Sequence, residues 1–114
     1  MHELSFAIDL LAAVEQSLGP RDVRIVRVIV SVGSAAAIVP ESLRFAFAVI
    51  SAGTRAAGAE LLVTTTAARS RCVDCGMVFE FEGMIGRCLQ CGRLGGKILS
   101  GDEVVLQAIE VTDV

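Results

Sequence analysis

The sequence predicts an α+β fold: two helices packed on a small three-stranded sheet, with a four-cysteine zinc-ribbon module inserted near the end. Three observations carry this. Two segments repeat apolar residues at helical spacing, three runs are strand-like, and one Cys- and Gly-dense stretch shows neither period. Two helices covering one face of a small sheet make a two-layer domain around a single core. A chain of 114 residues suits one such domain with a small appended module.

The first helix is expected in "ELSFAIDLLAAVEQSLGP", where Leu4, Ile8, Leu11, Val14 and Leu18 form one apolar face and Gly19-Pro20 is the stop. "RDVRIVRVIVSVG" reads as a strand ended by Gly33: Val26, Val28, Val30 and Val32 alternate with Arg27, Ile29 and Ser31. After a loop, "SAAAIV", the second helix opens at Pro40, whose missing N–H costs nothing in a first turn. Glu41 suits the positive end of that helix, Leu43, Phe47 and Ile50 give its buried stripe, and Gly53 its stop. "AELLVTTTAA" reads as a second strand. "DEVVLQAIEV" reads as a third, with Val104, Leu106, Ile109 and Val111 inward and a parity slip that suggests a bulge. The change in composition near Arg69 and Leu99 divides the chain into a discontinuous α/β domain, 1–68 and 100–114, and an inserted domain, 69–99.

Composition narrows the function classes. Apolar residues make up 54% and the mean hydropathy is +0.67, enough for a core and far from disorder. The most apolar run, "VRIVRVIVSVGSAAAIVP", is interrupted by Arg24, Arg27, Gly33 and Pro40, whereas a spanning helix needs roughly 20 mostly apolar residues. No secretory signal pattern opens the chain, so a cytoplasmic protein without membrane contact is expected. A net charge of -3 argues against a broad nucleic-acid surface. In a reducing compartment, four cysteines point to metal or redox use rather than disulfides.

Those cysteines form two CxxCG units, Cys72/Cys75 and Cys88/Cys91, in "RCVDCGMVFEFEGMIGRCLQCGR". Each unit curls so that two thiolates converge, and Gly76 or Gly92 can take the positive-φ turn that aims N–H groups at sulfur. Four thiolates suit tetrahedral Zn²⁺ in a closed, structural site. A redox dithiol and a single iron held in the rubredoxin manner are the competing readings. The linker "MVFEFEGMIGR" is expected to form a hairpin, with Phe79 or Phe81 as its apolar filling.

The lone histidine is His2. The Met1 α-amine, the His2 backbone nitrogen and the His2 Nδ1 can close fused chelate rings, a planar nitrogen set that suits Ni²⁺ or Cu²⁺. Binding there needs deprotonated nitrogens and should fall steeply with acid. His2 is too bulky for the usual removal of Met1. One in-plane position remains for the Glu3 amide nitrogen, and the Glu3 carboxylate could also approach. The plain alternative is a frayed terminus with no role.

The MHELS start, "LRFAFAVISAGTRAAGAEL", the paired CxxCG knuckles and "ILSGDEVVLQAIEV" occur in order along nearly the whole chain. Together they resemble the hydrogenase maturation factor HypA/HybF family of nickel metallochaperones. The resemblance implies a nickel-binding domain of two helices on a three-stranded sheet, with an inserted zinc domain. It implies Ni²⁺ as transient cargo at Met1, His2 and Glu3, and structural Zn²⁺ at Cys72, Cys75, Cys88 and Cys91. It implies no catalysis. The expected partners are a nickel-handling GTPase and the large subunit of NiFe-hydrogenase, with urease as a further client. One departure is the outer sheet face: Ile29, Ser31, Ala35, Leu62 and Thr64 are unusually bland. Such a face can mark contact with a second copy or the client, or residues that simply tolerate solvent.

Two other classes compete. Arg69, Arg71, Arg87, Arg93 and Lys97 make the zinc module mildly basic, as in a nucleic-acid- or protein-binding ribbon, against Asp74, Glu80 and Glu82. An enzyme finds little support: there is no nucleophile–base pair and no phosphate loop. If zinc geometry affects nickel release, the segments around Arg69 and Leu99 are the expected hinges.

Overall fold

The structure, a computed structural model, describes residues 2–114, with His2 placed only as the start of the first helix. The order is α1 (His2–Leu18), β1 (Val23–Gly33), a short 3-10 turn (Ser34–Ala36), α2 (Pro40–Ser51), β2 (Glu60–Thr66), β3 (Ala68–Arg71), β4 (Val78–Phe81), β5 (Lys97–Ser100) and β6 (Val104–Asp113). The strands form two three-stranded sheets, ordered β2-β1-β6 and β4-β3-β5. The fold is mixed α+β. Among the described residues, no helix is long and apolar enough to cross a membrane.

The chain separates into two compact units. The first comprises Met1–Ser31, Ile38–Thr64 and Val105–Val114; the second comprises Val32–Ala37 and Thr65–Val104. The second unit is wider than the 69–99 suggested by composition. It takes in the end of β1 because Gly33 donates to Glu103 O and Ala35 to Gly101 O, both at 2.9 Å. Gly33 is required here: a Cβ on it would lie 2.0 Å from Gly101 O.

In the first unit the two helices pack on each other and bury Ala7, Leu10, Val14 and Leu18 from α1 and Leu43, Ala46 and Phe47 from α2. The α1 face is therefore rotated from the expected one. Leu4 and Ile8 are exposed, because Ala7 and Leu10 lie closer to the middle of the buried stripe. In α2, Leu43 and Phe47 are buried as expected, while Ile50 is only half-buried and Ala46 and Ser51 complete the face.

β1 is the middle strand and supplies Val23, Ile25, Val28 and Val30 to the core. Its burial parity changes between Ile25 and Val28, so Val26 faces out instead of in. β6 shows the same slip: its half-buried residues are Val104, Leu106, Ile109 and Val111. Cross-strand contacts give the directions. Arg27 reaches Glu110 and Ser31 accepts from Gln107, so β6 runs antiparallel to β1. Arg27 also reaches Glu60, and Thr64 Oγ1 donates to Val30 O, so β2 runs parallel to β1 with α2 as the crossover.

The outer sheet face is less bland than its sequence. Arg27 bridges Glu60 and Glu110 at 2.7 Å each, tying all three strands across their surface. Arg55 closes the end of α1. Its guanidinium donates to the Glu15 carboxylate at 3.0 Å, to Gly19 O at 2.6 Å and to Arg21 O, covering carbonyls that a helix end leaves unpaired.

Candidate metal centre

The metal centre is built by the second unit. β3 pairs antiparallel with β4, Arg69 facing Glu80 and Arg71 facing Val78, and antiparallel with β5, Arg71 facing Lys97. The linker hairpin expected between the knuckles is therefore replaced: β4 pairs back onto β3, and the second knuckle closes by a separate bridge, Arg87 to Leu94. The reason is parity. Phe79 and Phe81 project from one face of β4, and Phe79 is buried against Cys72 and Cys88, with Phe81 and Met77 packed around them. Their rings lie 6.0 Å apart at 45°. Both phenylalanines thus serve as filling. Arg69 and Leu99, expected in connecting segments, lie inside β3 and β5.

Both knuckles have the same geometry, and it follows from their shared R-C-x-x-C-G sequence. Gly76 N donates to Cys72 O and Gly92 N to Cys88 O, each at 3.0 Å; the glycines sit at φ 77° and 79°. Cys72 N donates to Met77 O and Cys88 N to Arg93 O, each at 2.9 Å. Arg71 Nη1 donates to Gly76 O at 3.3 Å and Arg87 Nη1 to Gly92 O at 2.8 Å. Across the knuckles, Arg93 grips Asp74 at 2.9 Å. Three of the five cations that made this module look basic are therefore committed to it.

The four sulfurs lie within 4.8 Å of one another. The separation is 3.5 Å for Cys72–Cys91 and for Cys75–Cys88. All four are free thiols, Cys72 and Cys88 buried and Cys75 and Cys91 at the exposed edge. A tetrahedral zinc with bonds of about 2.3 Å sets sulfurs about 3.8 Å apart, so the set fits a four-thiolate ion.

Main-chain N–H groups polarise the inner sulfurs. Cys88 is held down to about 6, chiefly by the Cys91 N–H. Cys72 is lowered by the N–H groups of Cys75 and Asp74. Cys75 is pushed up to about 12: the Met77 N–H opposes this, but burial and the neighbouring sulfurs outweigh it. Cys91 is raised likewise, against the Arg93 N–H. Each inner sulfur thus carries an anionic tendency and each outer one a proton, an arrangement that a divalent cation completes by displacing the protons.

At the amino end, the Met1 amine and the His2 imidazole lie outside the described residues. Glu3 is half-buried in the first turn of α1, and its Oε2 accepts from Val39 N at 3.3 Å.

A sequence model of the family described as "Hydrogenase/urease nickel incorporation, metallochaperone, hypA" matches residues 1–111. A protein named "Hydrogenase maturation factor HypA" from Chlorobium luteolum is 36% identical over 114 residues, covering 99% of this chain and 97% of the relative. One of the same name from Geobacter sulfurreducens is 32% identical over 111 residues, covering 97% and 99%. The solution structure of the Ni metallochaperone HypA from Helicobacter pylori matches with a TM-score of 0.70 at 24% identity, covering 100% of both chains; that likeness speaks for the fold. The matched family consists of metallochaperones, not enzymes. The chain belongs to this HypA family of nickel-incorporation metallochaperones.

Proposed function

We propose that this chain binds Ni²⁺ at its amino terminus and delivers it to the NiFe-hydrogenase large subunit during maturation, with urease as a further client. The observation that carries the reading is the family match from residue 1 to 111 in a chain whose lone histidine is His2. The Met1 amine, the His2 backbone nitrogen and Nδ1, and the Glu3 amide nitrogen form the cargo site. First-turn N–H groups have no carbonyl four residues back, so metal can displace those protons without breaking a helix bond. Cargo held on a chain terminus rather than in a closed cage exchanges readily, as delivery requires.

Cys72, Cys75, Cys88 and Cys91 hold zinc in a structural role. Bound zinc supplies crosslinking of the two knuckles; a closed four-thiolate set leaves no position for substrate. The nickel-binding role is assigned to the discontinuous segment 1–68 with 100–114 and the zinc-binding role to 69–99, which lies inside the wider second unit. The setting is cytoplasmic and the partner a nickel-handling GTPase. A second copy would use the sheet face around Ile29, and an Ile29→Glu variant with unchanged mass and client binding in solution would sink that contact. The nucleic-acid ribbon is disfavoured because Arg71, Arg87 and Arg93 bind within the module.

The test is a Ni²⁺ titration of zinc-loaded protein with its native terminus, beside His2→Ala and a form with one residue added before Met1. Tight binding to the first, lost in both others, is expected. Equal binding in all three would move nickel elsewhere.

A further inference from the structure

The Glu3 side chain lies at the seam of the two helices. It lines a cavity of about 260 Å³ with Leu4 of α1 and Phe45, Ala46 and Val49 of α2. From there Oε2 accepts the N–H of Val39, the residue that caps α2. Val39 is a poor cap. Its side chain has no acceptor and makes no capping bond, and Pro40 follows with no N–H of its own. The cap position of α2 therefore lacks a side-chain acceptor of its own, and Glu41 is the acidic residue its first turn carries. Glu3 supplies a carboxylate from another helix, where the α2 dipole favours negative charge.

We propose that the Glu3 carboxylate is a positioning group and not a nickel donor. By accepting the Val39 N–H it pins the first turn of α1 to the start of α2, and Glu3 offers the metal only its main-chain nitrogen. This rests on the terminal chelate proposed above. The consequence is preorganisation: the tether restrains the turn that carries the terminal chelate, which costs the metal less ordering entropy. The tether also links cargo to fold, since ordering the terminus by metal and ordering it by α2 assist each other.

The experiment compares wild type, Glu3→Ala and Glu3→Gln, all zinc-loaded with native termini. Val39 amide–solvent exchange is followed by NMR without nickel, and visible absorption during Ni²⁺ titration. In Glu3→Ala, Val39 exchange is expected to rise about tenfold, as for loss of one hydrogen bond to a charged acceptor. Nickel affinity is expected to fall several-fold with the absorption band unchanged. Glu3→Gln keeps an acceptor oxygen and is expected to restore most of both. A shifted band in Glu3→Gln, or nickel loss in both variants with Val39 exchange unmoved, would make the carboxylate a ligand and overturn the proposal. If wild type takes no nickel at its terminus, the chelate itself fails. The exchange arm, run without metal, then still decides the tether, and unmoved Val39 exchange in Glu3→Ala overturns it.

Discussion

The two units of this chain hold together by different means. The first buries aliphatic and aromatic side chains from two helices and a sheet, including Phe47, Ile25, Leu43, Val14 and Val28 at 2% exposure or less. The second buries Phe79, Ala68, Val32 and two cysteines, and leaves Val73, Met84, Ile85, Leu89 and Leu94 in solvent. A core that small does not offset the entropy of ordering its chain. A four-thiolate ion joining the knuckles, as proposed, supplies the stabilisation that such a core lacks. In the proposed reading, metal is part of the fold in one unit and cargo in the other.

The largest expected effect breaks the comparison at its metal. Chelation, or Cys88→Ser, should unfold the second unit, since structural zinc contributes on the order of 10 kcal/mol to small four-ligand modules. Amide signals of β3–β5 should collapse while those of α1 and α2 persist. Simultaneous loss of both sets would show one cooperative unit. Next, Phe47→Ala should destabilise the first unit by about 3–5 kcal/mol through its cavity, read by denaturant unfolding of the helices. Metal affinity at the cysteines should hardly move.

The protonation pattern gives a third prediction. A lowered pKa means thiolate at neutral pH, lost as pH falls through that pKa; a raised one means the proton stays on. Near neutral pH, metal binding should therefore release fewer than four protons, because Cys88 is already ionised while Cys75 is not. Below about 6 the number should approach four, and affinity should fall more steeply with acid. Calorimetry in buffers of different ionisation heat reads it directly; four protons released at neutral pH would contradict the pattern. The smallest effect is Arg93→Ala. Its ion pair with Asp74 is half in solvent and screened by water, so unfolding of the zinc-loaded second unit should shift least of the four.

What could be read from the sequence follows the same division. The knuckles were legible because chemistry fixes their spacing: R-C-x-x-C-G occurs twice and both copies adopt one geometry. The long strands and both helices were legible from their periods. Faces were harder. α1 has apolar residues at Leu4 and Ile8 as well as at Ala7 and Leu10, so its period is compatible with more than one buried stripe, and packing against α2 selects the second. β3 and β5, "ARSR" and "KILS", are too short and polar to show a period, and only their pairing makes them strands. The Glu3–Val39 bond joins residues 36 apart, a relation carried by no local pattern.

The β3–β5 ladder has a consequence for the sheet that contains β2 and β6. Between those strands the chain makes an excursion over residues 67–103, 37 residues. Arg69 faces Ser100, so the excursion is a stem whose base is shut. With the stem formed, the connection from β2 to β6 behaves as a bridge of only a few residues. Closing a loop grows harder as (3/2)RT ln n, so the shortening favours docking of β6 by about 1.5–2 kcal/mol. An ion bound among the cysteines therefore strengthens the other sheet by shortening the loop that its strands must close.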